Sequence, residues 1–357
     1  MRVARLLSVL AVPALLLAGC SSGNNEVAPT SKSSSAQPSP SPSPSPLPTP
    51  TPAPTPTPEP PPAPAPPPPT DPLTGGAVVT GPAIAAKIDN TSAGLPQYAV
   101  SEADIVYVEQ VEGGLTRLMA VYHTALPTDV GNVRSVRTTD AELLPVFGVP
   151  ALVFSGGAGG PIDALAATAV VPFSEDAGSP GFFRSDSTSA PYNLHANLQT
   201  VAANASLSQP NSPGFVFAAT DPRVDAGPAA TSLAVQFQAA RTGFIFTDGR
   251  YQLLRNGETQ SDASGAPIVT DNVLFQNVDF EPDGNVDSVG SPSFISHSVG
   301  SGTFTLYRNG HAISGSWNRP AADQPTQYLD GAGQPVPFKP GKTWVALVPP
   351  VASTDVS

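Results

Sequence analysis

Hydrophobic and polar positions fall into three regimes along the chain. The first is a single apolar run from Leu6 to Leu17 behind Arg2 and Arg5. About a dozen residues fall short of the roughly 20 that span a bilayer. A short positive segment before a short apolar one predicts an export signal. In the second regime, from about Ser21 to Thr70, Ser, Thr, Pro and Ala leave almost nothing to bury. Such a segment cannot offset the entropy of ordering. Its Ser-Pro and Thr-Pro alternation, closing on Pro66-Pro67-Pro68-Pro69, predicts an extended polyproline stalk. Its densest part, about thirty residues at about 3.1 Å each, reaches on the order of 100 Å.

The third regime opens abruptly at Asp71. Ala83 to Ile88, Ala103 to Val111, Arg117 to Tyr122 and Ala151 to Phe154 are short apolar runs rich in β-branched and aromatic residues, and predict strands. Thr138 to Phe147 has helical spacing with Thr138 or Thr139 as N-cap, and Asn193 to Ala205 predicts a further helix. Pro161, after Ser155-Gly156-Gly157, suits a first helical turn. Further on, Gly243 to Phe246, Tyr251 to Arg255, Asn272 to Val278, Thr303 to Tyr307, His311 to Trp317 and Thr343 to Val348 all read as strands. Asn309-Gly310 and Asn256-Gly257 are hairpin signals between them. The expectation is a mixed α+β or α/β N-terminal subdomain over residues 71–225, then a mainly antiparallel β C-terminal subdomain over residues 226–350.

Composition narrows the function classes. The formal charge is −12, only 12% of residues are charged, and there is no basic run. Nucleic acid is therefore not an expected partner. The one cysteine is Cys20, so the folded part has no disulfide, thiolate metal site or cysteine nucleophile. Leu17-Ala18-Gly19-Cys20 matches a lipobox, with residues 1–20 as a lipoprotein signal peptide and residues 21–70 as the stalk. Acylation of the thiol would hold the chain on the extracytoplasmic face of the cell membrane, with the lipid bilayer as its partner.

In a chain so poor in charge, one constellation stands out: Asp89, Asn90, Glu109, Glu112, Thr116, Arg117, Arg134 and Arg137, to which Arg184 and Asn193 are added. Converging arginines balanced by carboxylates suit an anionic or zwitterionic ligand. The same residues pairing among themselves would only hold strands in register. Asp89 with Glu112 or Glu109 is also a candidate acid and base pair for hydrolysis. The loop Ser155 to Gly160 matches neither the dinucleotide fingerprint nor the P-loop, and no Gly-x-Ser-x-Gly elbow surrounds Ser155. His123, His195, His297 and His311 lack ligand spacing, and Asp283 to Asp287 lacks a calcium-loop pattern. No metal and no cofactor is expected. Trp317 and Trp344 could stack on a sugar or fill a core.

Several stretches in family order resemble the YerB-like lipoproteins, defined by a domain of unknown function numbered 3048. They are Asp71-Pro72-Leu73-Thr74-Gly75, Ile88-Asp89-Asn90, Ala103-Asp104-Ile105-Val106-Tyr107, Val111 to Arg117, Gly131 to Arg137, Gly315-Ser316-Trp317 and Pro340 to Trp344. The resemblance covers nearly everything from Asp71 onward. It implies a lipid-anchored or secreted bacterial protein with N- and C-terminal parts, and does not imply any particular activity. One departure is Pro191-Tyr192-Asn193-Leu194-His195, where the family usually has His second and Tyr last. A role for imidazole at Tyr192 then requires His195 to take its place. The leading expectation is a binding or scaffold module for a cell-wall polymer or envelope protein. The alternative is a cell-wall-active hydrolase using paired carboxylates.

Overall fold

The structure, a computed structural model, describes residues 69–287 and 290–357. Cys20, the export signal and nearly all of the stalk lie outside the described residues.

The strands that carry the architecture, in chain order, are β1 (Ile84–Asp89), β2 (Ile105–Gln110), β3 (Thr116–Tyr122), β4 (Ala151–Phe154) and β5 (Val171–Ser174). The second half adds β6 (Ser232–Gln236), β7 (Arg241–Thr247), β8 (Arg250–Arg255), β9 (Asn272–Asn277), β10 (Phe280–Val286) and β11 (Pro292–Ser296). It continues with β12 (Gly300–Arg308), β13 (His311–Arg319), β14 (Gln327–Leu329), β15 (Thr343–Val348) and β16 (Ser353–Val356). The helices used below are α1 (Thr138–Leu143), α2 (Gly159–Ala166) and α3 (Leu198–Ala203).

Ten strands form one sheet in the order β14-β13-β12-β9-β15-β2-β3-β1-β4-β5. Strand β15 runs parallel to both neighbours, pairing Thr343 with Asn272 on one side and with Ile105 on the other. Strands from both halves of the chain are thereby joined in one hydrogen-bonded sheet. Alternation sends Ile84, Ala86 and Ile88 to one face, where they meet Leu233, Val235, Phe244, Leu253 and Trp344 around a second sheet built on β6, β7, β8 and β16. Ala85, Ile105, Tyr107, Met119 and Val121 point the other way, into a core with Val136, Leu143, Phe147 and Leu165 of the helical layer.

Most predicted elements are present, with two changes. The N-cap of α1 is Arg137 rather than a threonine, because the Asp140 carboxylate accepts the Arg137 backbone N–H at 2.8 Å. Thr138 instead donates to Asp283 at 2.6 Å and Thr139 accepts from Ser296 N–H at 2.9 Å, fastening the β10–β11 hairpin to the helix. The helix expected from Asn193 begins with a strand, Leu194–Ala196, paired to Phe182–Arg184, and only then becomes α3, capped by Asn197. Asn309-Gly310 and Asn256-Gly257 both form the left-handed pairs of two-residue hairpin turns.

Candidate functional site

The first three strands share one buried face, and its character changes along their length. Ala85, Ile105, Tyr107, Met119 and Val121 occupy one end, while Lys87, Asp89, Glu109 and Arg117 occupy the other. Register sets Arg117 directly between Asp89 on β1 and Glu109 on β2. The chain after Gly131 then crosses this end: Arg134 N–H donates to Lys87 C=O at 2.8 Å, and Ser155 N–H donates to Arg134 C=O at 3.0 Å.

This crossing places Arg117, Arg134 and Arg137 on the wall of one cleft of about 460 Å³. Its lining also includes Glu112 and Ser135, Gly157 and Ala158 just before α2 with Pro161 inside it, and Val286, Asp287 and Ser293 from the hairpin segment. A Cβ on Gly160 would sit 2.2 Å from Asn285 Oδ1, so only glycine lets the hairpin approach α2 this closely.

The three guanidiniums differ in how they are held. Arg137 is fully engaged: Nε and Nη2 donate to Glu112 Oε2 at 3.1 and 2.6 Å, and Nη1 to the Ser135 and Val136 carbonyls. Arg134 pairs with Asp89 at 3.0 Å and lies 5.2 Å from the centre of the Tyr192 ring. Arg117 is only 8% exposed, and neither its Nε nor its Nη1 has a hydrogen-bond partner. Burial, together with Arg137 and Arg134, lowers its pKa to about 10, partly opposed by Asp89 and Glu112. It remains a cation at neutral pH.

The remaining candidates are distributed elsewhere. Asn90 donates to Thr116 at 2.9 Å, and both line a second cleft with Arg241 and Arg255, whose Nη1 donates to the Asn90 carbonyl at 2.8 Å. Glu109 lies beneath the arginine cleft in contact with Lys87. Arg184 donates to Asn193 at 3.1 Å and pairs with Glu175 at 3.2 Å near the surface, and neither Arg184 nor Asn193 lines the cleft. The two hydrolase candidates are both engaged. Asp89 Oδ1 accepts from Thr91 N–H at 2.6 Å while Oδ2 faces Arg134, and Glu112 is held by Arg137.

His195 does not stand in for an imidazole at Tyr192. It is fully buried, set between Asp129 at 2.5 Å and Asn132 at 3.0 Å, against the Tyr98 ring. The other histidines also have local partners, and among the described residues no His, Cys, Asp and Glu cluster has the makings of a metal site. Both tryptophans are core: Trp317 Nε1 donates to the Asn277 carbonyl at 2.9 Å, and Trp344 packs on Phe244. Sequence reasoning missed Lys87 and Asp140, which lie just beneath the cleft. The available signal was a lysine within the otherwise apolar stretch Ile84 to Ile88 of β1.

Comparison with known proteins gives a consistent picture. The model described as the N-terminal domain of a protein of unknown function (DUF3048) matches residues 72–211, and its C-terminal counterpart matches residues 233–345. The protein named "Putative lipoprotein YerB" of Bacillus subtilis (strain 168) is 25% identical over 296 residues, which is 77% of this chain and 83% of that protein. The crystal structure of YerB protein from Bacillus subtilis superposes with a TM-score of 0.67 at 21% identity, covering 80% of this chain and 99% of that one. The two share a fold.

Proposed function

Since the chain belongs to the DUF3048 family, we propose that it is a lipid-anchored envelope protein whose arginine cleft binds an anionic or zwitterionic envelope ligand. The lipoprotein name of the Bacillus subtilis relative and the Leu17-Ala18-Gly19-Cys20 sequence support the anchor. A stalk of Ser, Thr and Pro would carry the folded part away from the membrane, on the extracytoplasmic face and toward a cell-wall polymer or another envelope protein.

The observation that carries the binding reading is Arg117: a desolvated cation, lacking partners at Nε and Nη1, on the wall of a cleft it shares with two more arginines. A buried donor without an acceptor is costly, and an anion entering the cleft would supply acceptors in a fork geometry that guanidinium matches. Arg134 and Arg137, fixed by Asp89 and Glu112, add positive charge without needing to reorganise.

The test is co-sedimentation of the purified protein with cell-wall sacculi that retain their anionic polymers, in parallel with Arg117→Met. Retention by wild type and at least tenfold weaker retention by the variant is the expected result. Equal retention of both would remove Arg117 from the function. Soluble fragments released from the sacculi would replace binding with hydrolysis.

A further inference from the structure

Beneath the arginine cleft lies a group of charges that ligand binding does not use. Lys87, Glu109 and Asp140 are 0, 1 and 0% exposed. The Lys87 ammonium lies 2.6 Å from Asp140 Oδ1 and also contacts Glu109 Oε1. Two carboxylates thus share one ammonium in a site closed to water, on a face whose neighbours are Tyr107 and Met119. Ionised, the trio buries three charges that do not cancel, an arrangement burial opposes.

The two carboxylates are differently equipped. Asp140 Oδ2 accepts the Arg137 backbone N–H at 2.8 Å, a fixed donor that would stabilise negative charge developing on that oxygen. Glu109 Oε2 is buried without a partner. Burial pushes the Glu109 carboxyl up to about 7, against the attraction of Lys87. One carboxyl is thus set up as an electrophile and the other as a proton donor. The reacting groups are held side by side by β1, β2 and α1, which raises their effective concentration far above that of free solutes.

We propose that Lys87 Nζ and Asp140 Cγ become joined by an intramolecular isopeptide bond, formed by loss of water with Glu109 as the acid. In the dry site the Lys87 ammonium passes one proton to the Asp140 carboxylate, leaving a neutral amine and a neutral acid. The amine lone pair attacks Cγ and the C–N bond forms, with the Arg137 N–H holding the oxyanion. Glu109 protonates the departing hydroxyl, the C–O bond breaks and water leaves. The surplus proton on nitrogen returns to Glu109. An amine and a carboxylic acid have become an amide and one water, with no change of oxidation state. Neutral groups replace the buried ions, and the start of α1 is covalently tied to β1 under the segment that presents Arg134 and Arg137. The inference is independent of what the cleft binds.

Trypsin digestion of the purified protein followed by tandem mass spectrometry tests it. An acylated Lys87 resists trypsin, so Ser33 to Arg117 remains one peptide. It is expected to be joined to Thr138 to Arg184, with a combined mass one water below the sum. Cleavage after Lys87 together with a free, full-mass Thr138 to Arg184 peptide overturns the bond. A water lost within Ser33 to Arg117 alone places the link on Glu109 and overturns it equally. Asp140→Ala must return all Lys87 to trypsin, folded or not. Glu109→Gln, checked for folding by circular dichroism, should lower the linked product at least tenfold; undiminished linking in the folded variant overturns the role of Glu109.

Discussion

An arginine taken out of water and left without acceptors weakens the fold that holds it. Arg117 is such a residue, and that makes a stability prediction possible. Replacing it by methionine, similar in length and uncharged, should raise the unfolding free energy by about 1–3 kcal/mol even as ligand retention falls. A urea midpoint that drops instead would mean that Arg117 serves the fold. Glu109 gives a second prediction at this scale. Its carboxyl is held up to about 7 in the folded state by burial, above its ordinary value of 4.5. The folded protein therefore binds the proton more tightly than the unfolded chain does. The associated stability is complete below about pH 4.5 and is lost as pH rises through about 7. Urea midpoints at pH 5 and pH 8 should show this fall in the wild type, and Glu109→Gln should reduce it.

Local turn chemistry fixes the register of whole elements. Strands β12 and β13 pair Arg308 with His311 across Asn309 and Gly310, whose φ angles are 53° and 79°. A β-carbon on Gly310 would also lie 2.9 Å from the Phe246 ring, which belongs to β7 in the second sheet. Gly310→Ala should therefore cost about 1–2 kcal/mol, from the left-handed strain and the displaced ring, measured by denaturant unfolding. The hairpin of β10 and β11 is tied down differently. Asp283 accepts from Thr138 and Ser293, and the Glu142 carboxylate takes His297, Ser298 and Val299. These bonds bring Val286, Asp287 and Ser293 over the cleft.

Across the whole molecule, β15 is the element on which the most depends. It lies between β9 and β2, so the first half of the chain is completed by a strand from residues 343–348. A chain ending at Asp225 would expose the edge of β2 and uncover the face that Leu233, Phe244 and Leu253 protect. Such a fragment is expected to show no cooperative urea transition by far-UV circular dichroism, whereas the chain to Ser357 should show one. A cooperative transition in the fragment would establish the first half as an independent domain.

The features legible in the sequence are those that local physics controls. Short apolar runs rich in β-branched and aromatic residues located β1, β2, β3 and β4 to within about two residues at most, because strands buried on both faces read as nearly continuous hydrophobic stretches. Asn-Gly pairs located two hairpins, because those turns require positive φ. Scarcity of charge drew attention to Glu112, Arg117, Arg134 and Arg137, and all four line the cleft. What tertiary structure decided is which distant partners meet. It held Asp89 and Glu112 on arginines, turned Asn90 and Thr116 to another cleft, and set Lys87 against Asp140, fifty-three positions away. It also carried β15 across the chain to lie beside β2. No local period encodes such contacts, because they depend on how whole sheets and helices bury their apolar faces together.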